Sequence, residues 1–330
     1  MTTLYIEQHG ALIRKSDERL VVTHGKEELF SSPISKINQV VIFGNNSITS
    51  QALEAVLDNN IDVVYLTSNG HYRGRLQPAT SQHVEYRRAQ YEKAKNEVFC
   101  IEFSKSIVWA KIANGSHLIR MKGYRSETVD SSEWHRFQRY QRLVSLAKSM
   151  DAIRGYEGAA SATYFPLLGR LLKDRMGFQQ RIKHPPPDPI NILLSLGYTL
   201  LFNQIQVMVD LVGLDPYQGF FHQTKPGHPS LVSDFMEEFR SPVIDSLVLR
   251  CVNLGTIRRT DFETSEQKSS LKKDGLRKYL EACNQRFNDF SGKIIQGKRN
   301  SFRQLFEYQC RHFARVVTGK EPQYRPFLER

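Results

Sequence analysis

The chain has 330 residues, a formal net charge of +12 and four cysteines, and each of these narrows the options. Its length exceeds what one average core organises, so two domains are expected. Cys100, Cys251, Cys283 and Cys310 form no CxxC pair and have no histidine at zinc-finger spacing, which argues against structural zinc and for core thiols.

The first ninety residues read as β-rich. Leu4-Tyr5-Ile6, Ala11-Leu12-Ile13 and Leu20-Val21-Val22 are short strands parted by Gly10 and Ser16-Asp17-Glu18, and Ile37 to Phe43 continues the pattern. Ser50 is the expected N-cap of a helix over Gln51 to Asp58, with Ala52, Leu53, Ala55, Val56 and Leu57 as its buried stripe. A strand over Ile61 to Leu66 and a turn at Thr67-Ser68-Asn69-Gly70 follow. A polar stretch over 77–84 reads as a linker between a small N-terminal β-rich domain, 1–76, and a larger, mainly α-helical domain, 85–330, an α+β organisation. Helical periodicity marks segments near 85–122, 131–150, 156–176, 188–212, 230–254, 270–288 and 298–316, and Pro185-Pro186-Pro187 forces a rigid entry into the helix starting near Asp188. No apolar run approaches the length of a membrane span, and Met1-Thr2-Thr3-Leu4 opens directly into strand-like sequence, so a reducing cytoplasm is the expected location.

Residues 1–90 hold nine Lys or Arg and nine Asp or Glu, so the whole net charge lies after residue 90. A basic surface confined to one part points to a polyanion, because neutralising phosphates releases condensed counterions. Two stretches in that part carry chemistry. Glu157 stands among small residues in Gly155-Tyr156-Glu157-Gly158-Ala159-Ala160, which leave room for a ligand, although a glutamate in an exposed first helical turn would look the same. His222 ends the broken loop Gly213-Leu214-Asp215-Pro216-Tyr217-Gln218-Gly219-Phe220-Phe221, and Glu237-Glu238 follow fifteen positions later. Asp234, Glu237 and Glu238 stand at i, i+3 and i+4, hence on one helical face. They are either a metal pole or a solvated acidic face near Arg240 and Arg250. Two carboxylates and an imidazole, Glu157, Glu237 and His222, are the mixed donor set that Mg²⁺ or Mn²⁺ accepts when phosphate oxygens complete the shell.

These segments, with Phe43-Gly44-Asn45-Asn46-Ser47-Ile48-Thr49, the stretch Thr67 to Leu76, and Pro186-Pro187-Asp188-Pro189 running into Ile190 to Leu201, resemble the CRISPR-associated Cas-one family over nearly the whole chain. The resemblance implies an N-terminal β domain used in dimerisation and a helical catalytic domain whose metal ligands fall on Glu157, His222 and Glu237. It places a further acid at Asp234 and DNA-associated positions at Lys225 and Tyr198. His228 stands where the family commonly has arginine.

The implied activity is DNA integration in CRISPR adaptation: 3′-hydroxyl ends of a double-stranded protospacer attack the CRISPR repeat by transesterification. The implied partners are a second copy of the chain and a Cas-two homodimer. Phosphate contacts are expected from Arg170, Lys173, Arg175, Arg181 and Lys183, and from Lys293, Lys298, Arg299 and Arg303. Two other readings fit the residues: a general metal-dependent repair nuclease, and a non-catalytic nucleic-acid scaffold.

Overall fold

A computed structural model describes residues 2–67, 72–76, 78, 84–123, 130–183, 185–265, 268–295 and 298–329. The chain forms two compact units, Met1–Thr80 and Ser81–Arg330, a β-rich region followed by a mainly helical one. The expected turn at 67–70 and the expected linker at 77–84 fall mostly outside the described residues.

In the first unit the strands are β1 (Thr2–Ile6), β2 (Leu12–Ser16), β3 (Arg19–His24), β4 (Glu27–Pro33), β5 (Ile37–Phe43) and β6 (Ser47–Ile48), then helix α1 (Ser50–Asp58), β7 (Asp62–Leu66) and β8 (Tyr72–Leu76). They make two four-stranded sheets, ordered β1-β5-β7-β8 and β4-β3-β2-β6. β1, β5 and β7 run parallel, with Leu4 opposite Val40 and Val40 opposite Val63. Ile13, Leu20, Val40, Ile42, Val56 and Val63 are buried in the core of this unit. Asn46 stitches the sheets: its Oδ1 accepts from Ala11 N–H at 2.8 Å and its Nδ2 donates to Phe43 O at 2.7 Å. The α1 cap is Thr49, not Ser50, because Thr49 is the residue held extended with its hydroxyl accepting from Ala52 N–H. Strands β4 and β8 were not expected from the sequence.

The second unit contains α2 (Val84–Ala94), α3 (Glu97–Gly123), α4 (Ser131–Leu146), α5 (Met150–Arg170), α6 (Pro189–Val212), α7 (Ser230–Met236), α8 (Ser246–Asn253), the hairpin β9 (Phe262–Ser265) and β10 (Lys268–Leu271), α9 (Lys273–Asn288), the hairpin β11 (Phe290–Ile295) and β12 (Lys298–Ser301), and α10 (Phe302–Val317). The helix expected over 85–122 is two helices, since Asn96 accepts Phe99 N–H through its side chain and starts α3 anew. The two hairpins replace the first turns of the helices expected at 270 and 298.

The α6 boundaries follow local chemistry. Asp188 accepts Asn191 N–H at 2.9 Å, Pro189 occupies the first turn, and Gly213 at φ 88° closes the helix in the left-handed region. By length and composition α6 is long and apolar enough to cross a membrane, which corrects the expectation that no such apolar run exists. Here most of it is buried inside the unit, and each buried Ile or Leu, such as Ile190, Leu193 and Leu201, contributes about 2 kcal/mol.

The segment expected as one helix over 230–254 is three pieces. α7 stops at Met236, Arg240–Asp245 is a π-helical turn, and α8 resumes at Ser246. Such wide turns redirect side chains within a helix and gather at functional sites.

Candidate active site

A cavity of about 480 Å³ in the helical unit is lined by Glu157, His222 and Glu237 together with Lys111, Arg181, Lys183, Tyr198 and Arg240. Three elements bring the acids and the imidazole there. Glu157 lies in the second turn of α5, which begins at Met150 rather than near 156, so it is not an exposed first-turn glutamate. Its carboxylate accepts from Ser161 Oγ at 2.9 Å and from the Lys111 ammonium. Glu237 follows α7, nearly buried at 3 % exposure, and accepts from Arg240 Nε at 3.1 Å.

His222 is delivered by its loop, and Asp234 holds that loop. The Asp234 carboxylate accepts the backbone N–H groups of Phe220, Phe221 and His222 at 2.7, 3.1 and 2.9 Å, and its Oδ1 lies 2.7 Å from His222 Nδ1. A carboxylate only accepts, so Nδ1 carries the proton and, in the neutral ring, Nε2 keeps its lone pair. Nε2 lies 3.8 Å from Glu237 Oε1. Arg154, one turn before Glu157, donates to Phe221 O at 3.2 Å and ties the loop to α5. Gly219 is required where it stands: a Cβ there would come within 2.6 Å of Ser230 Cβ and 2.8 Å of its backbone carbon.

The three acids expected on one helical face do not share it. Asp234 and Glu238 are fully buried and Glu237 nearly so, which excludes a solvated acidic face. α7 has already ended at Glu237, so Glu238 turns inward, accepting from Tyr324 Oη at 2.7 Å, Gln309 Nε2 at 3.2 Å and Phe327 N–H.

Lys111, on α3, was not singled out in the sequence. Its ammonium is ion-paired with both Glu157 and Glu237, at 2.6 Å from Glu237 Oε2. Burial disfavours its charge, but Glu237 and Glu157 overcome that and hold the ammonium above its usual range. Burial likewise pushes both carboxyls up. Arg240 and Lys111 overcome this at Glu237, holding it well below the usual carboxylate range, and Lys111 lowers Glu157 as well. The signal was a single cation inside Ile107-Val108-Trp109-Ala110-Lys111-Ile112-Ala113.

Among the described residues no group of three His, Cys, Asp or Glu side chains is already gathered around one point for a metal ion. Between the two glutamates lies the ammonium instead. The donor set nevertheless suits a hard divalent cation. Glu237 Oε2 is buried and, despite its ion pair, lacks a hydrogen bond of proper geometry. The imidazole beside it is oriented by a carboxylate on its far nitrogen, as metal-bound histidines are.

The remaining predicted residues divide. Tyr198 is buried, donates to Asp245 Oδ1 at 2.5 Å and lies beneath the Arg240 and Arg181 guanidinium groups, so it supports the cationic wall instead of offering its hydroxyl to solvent. Arg181 lines the cavity, held by Asn191 Oδ1 and Ser195 Oγ. Arg170 lies away from the cavity lining and is ion-paired with Glu133 at 2.8 Å. Lys173, Arg175 and Arg299 are exposed, as is Lys225, which faces His228 in an isolated antiparallel bridge. Arg303 is buried against Asn284 and the Phe287 ring, unsuited to phosphate contact. The side chains of Lys293 and Lys298 lie outside those described.

A β-rich unit joined to a helical one, with carboxylates and an oriented imidazole facing a cationic wall, defines a protein equipped to hold an anion beside donors for a hard cation. The family model for CRISPR associated protein Cas1 matches residues 4–285. The chain belongs to the Cas1 family, the Cas-one family its sequence resembles. It is 32% identical over 329 residues to CRISPR-associated endonuclease Cas1 3 of Thermus thermophilus, covering 99% of this chain and 97% of the relative. Among solved structures, a casposase bound to integration product has the same fold, with TM-score 0.88 at 23% identity over 98% of this chain and 92% of that one. A chain of a Cas6-RT-Cas1–Cas2 complex gives TM-score 0.84 at 23% identity, over 99% of this chain and 36% of that one.

Proposed function

We propose that the chain is a metal-dependent DNA integrase of CRISPR adaptation. It joins the 3′-hydroxyl ends of a foreign double-stranded fragment to the CRISPR repeat by transesterification, one phosphodiester bond forming as another releases its 3′-hydroxyl. The observation that carries this reading is the meeting of Glu157, Glu237 and the Asp234-oriented His222 in one cavity with a wall of Lys111, Arg181, Lys183 and Arg240.

Glu157, His222 and Glu237 would hold Mg²⁺ or Mn²⁺. When bound, that ion stabilises charge developing on the phosphoryl oxygen and on the attacking and leaving oxygens. Asp234 positions the His222 ring, and the cationic wall holds the phosphodiester. The nucleophile belongs to the DNA, so no activated serine or cysteine is needed. The buried thiols Cys251, Cys283 and Cys310 agree with that. Phosphate contacts fix register without reading bases, so choice of the repeat rests on DNA deformation and on partners. A Cas2 dimer bridging pairs of this chain is the proposed partner, supported by the likeness to a chain of a complex that contains Cas2. With water in place of the hydroxyl the same site is an endonuclease, the activity for which the Thermus relative is named.

The test is strand transfer: the protein with its Cas2 partner, a labelled duplex with free 3′-hydroxyl ends, and a supercoiled plasmid carrying the repeat, with Mg²⁺ or Mn²⁺ against EDTA, for wild type and His222→Ala. Joined product that needs both the metal and His222 supports integration at this site. Nicking without joining supports the nuclease, and undiminished joining by His222→Ala removes this histidine from the mechanism.

A further inference from the structure

Lys111 makes a contact that a site built only to hold a divalent cation does not need. Its ammonium is paired with Glu157 and with Glu237 at the same time, 2.6 Å from Glu237 Oε2. That oxygen is buried, and the ammonium meets it as an ion pair. The lysine is delivered by a fixed scaffold. Three residues further along α3, Asn114 Nδ2 donates to Glu238 O at 2.8 Å and to Phe327 O at 3.0 Å, fastening this helix to the backbone beside Glu237.

We infer that Lys111 is a resident counter-cation that competes with the divalent ion for Glu157 and Glu237. This rests on the metal reading of the site given above. Two carboxylates facing one low-dielectric cavity repel each other, and without a cation between them the arrangement would be strained. Arg240 is paired with Glu237 alone, whereas the Lys111 ammonium is shared between Glu157 and Glu237 and holds the two together. An incoming divalent ion must take Glu237 Oε2 and the Glu157 carboxylate from the ammonium. Metal loading therefore includes breaking the Lys111 contacts, and the displaced ammonium stays beside a cavity that holds phosphate. The lysine in this way holds the two carboxylates together while raising the metal concentration the site requires.

The side chain can be removed without dismantling its neighbours. Glu157 keeps the Ser161 hydroxyl and Glu237 keeps Arg240 Nε. Lys111→Met should therefore affect two quantities in opposite directions. In EDTA the variant unfolds at lower temperature than wild type, and it binds Mn²⁺ about tenfold tighter or more, because a nearby positive charge no longer opposes the ion. Lys111→Arg, which retains the charge, stays close to wild type in Mn²⁺ affinity.

The experiment is calorimetric titration of the full chain with Mn²⁺, for wild type and both variants, beside thermal unfolding in EDTA. Tighter binding by Lys111→Met with a lowered unfolding temperature supports the inference. Equal or weaker binding by Lys111→Met, when wild type binds, overturns it and leaves the metal reading standing. Absence of Mn²⁺ binding in wild type and variants alike overturns both.

Discussion

Asp234 Oδ1 lies 2.7 Å from His222 Nδ1 and 2.9 Å from the backbone nitrogen of the same residue, so one carboxylate oxygen fixes both the ring and the loop that carries it. Asp234→Asn places an amide NH₂ against N–H donors that now meet a carboxylate. The expected result is a 10- to 100-fold loss of strand transfer, roughly the effect of losing a carboxylate that orients a metal-bound histidine, with about 2 kcal/mol lost from unfolding stability. Activity equal to wild type would show that the orientation of His222 is unimportant.

Gly219→Ala tests the same loop from the other side. The added methyl meets Ser230 at 2.6 and 2.8 Å, and overpacking of this kind costs about 1–3 kcal/mol. Denaturant unfolding should show the loss, and strand transfer should fall because His222 moves. A stability change inside the error of the measurement would mean the loop yields freely.

Glu238→Ala leaves Tyr324 Oη and Phe327 N–H without their buried acceptor, a loss of about 3 kcal/mol, and frees the segment after Val317. Limited proteolysis should then cut that segment faster than in wild type. A solvated acidic residue would give no change in either measurement.

DNA affinity separates the cationic side chains. Lys183 lines the cavity, so Lys183→Ala should weaken binding and lower the slope of log affinity against log salt by about one. Arg170 is paired with Glu133 outside that lining, so Arg170→Ala should leave affinity within about twofold. The reverse ranking, read by fluorescence anisotropy at several salt concentrations, would move the DNA path to the outer face of α5.

Alkaline pH provides a further check. Burial pushes the Cys251 thiol up to about 11 from 9.0, and burial raises Cys283 and Cys310 as well. Below pH 9 the thiol is protonated folded or unfolded. Above that only the unfolded chain releases its proton, so Cys251 costs the fold stability progressively from pH 9 to about pH 11, of order 2 kcal/mol. Unfolding stability measured across that range should fall less steeply for Cys251→Ala than for wild type, and equal slopes would discount the thiol.

Much was legible because its causes are local. The α6 boundaries follow from Asp188, Pro189 and Gly213, residues whose hydrogen-bonding and backbone preferences act within a turn of the helix. The alternation of short apolar runs with Gly and Asp clusters likewise marked most strands of the first unit, and Glu157, His222 and Glu237 stood out by their neighbours. Strands β4 and β8 escaped because Glu27–Pro33 and Tyr72–Leu76 carry little apolar alternation, and each is paired by a neighbouring strand rather than by its own propensity.

The amino-acid sequence by itself determined the two-part plan, the confinement of positive charge to the helical part and the residue types of the site, since charge and periodicity are properties of the chain. Tertiary structure alone decided what those side chains face. Lys111 and Glu157 are 46 positions apart, and only the packing of α3 against α5 makes them partners. The end of α7 at Met236 and the π turn after Phe239 send Glu237 to the cavity and Glu238 to the interior, where helical spacing would put both on one face. Spacing fixes direction only while a helix continues, and past this break each buried acid meets its own donors, Arg240 at Glu237 and Tyr324 at Glu238.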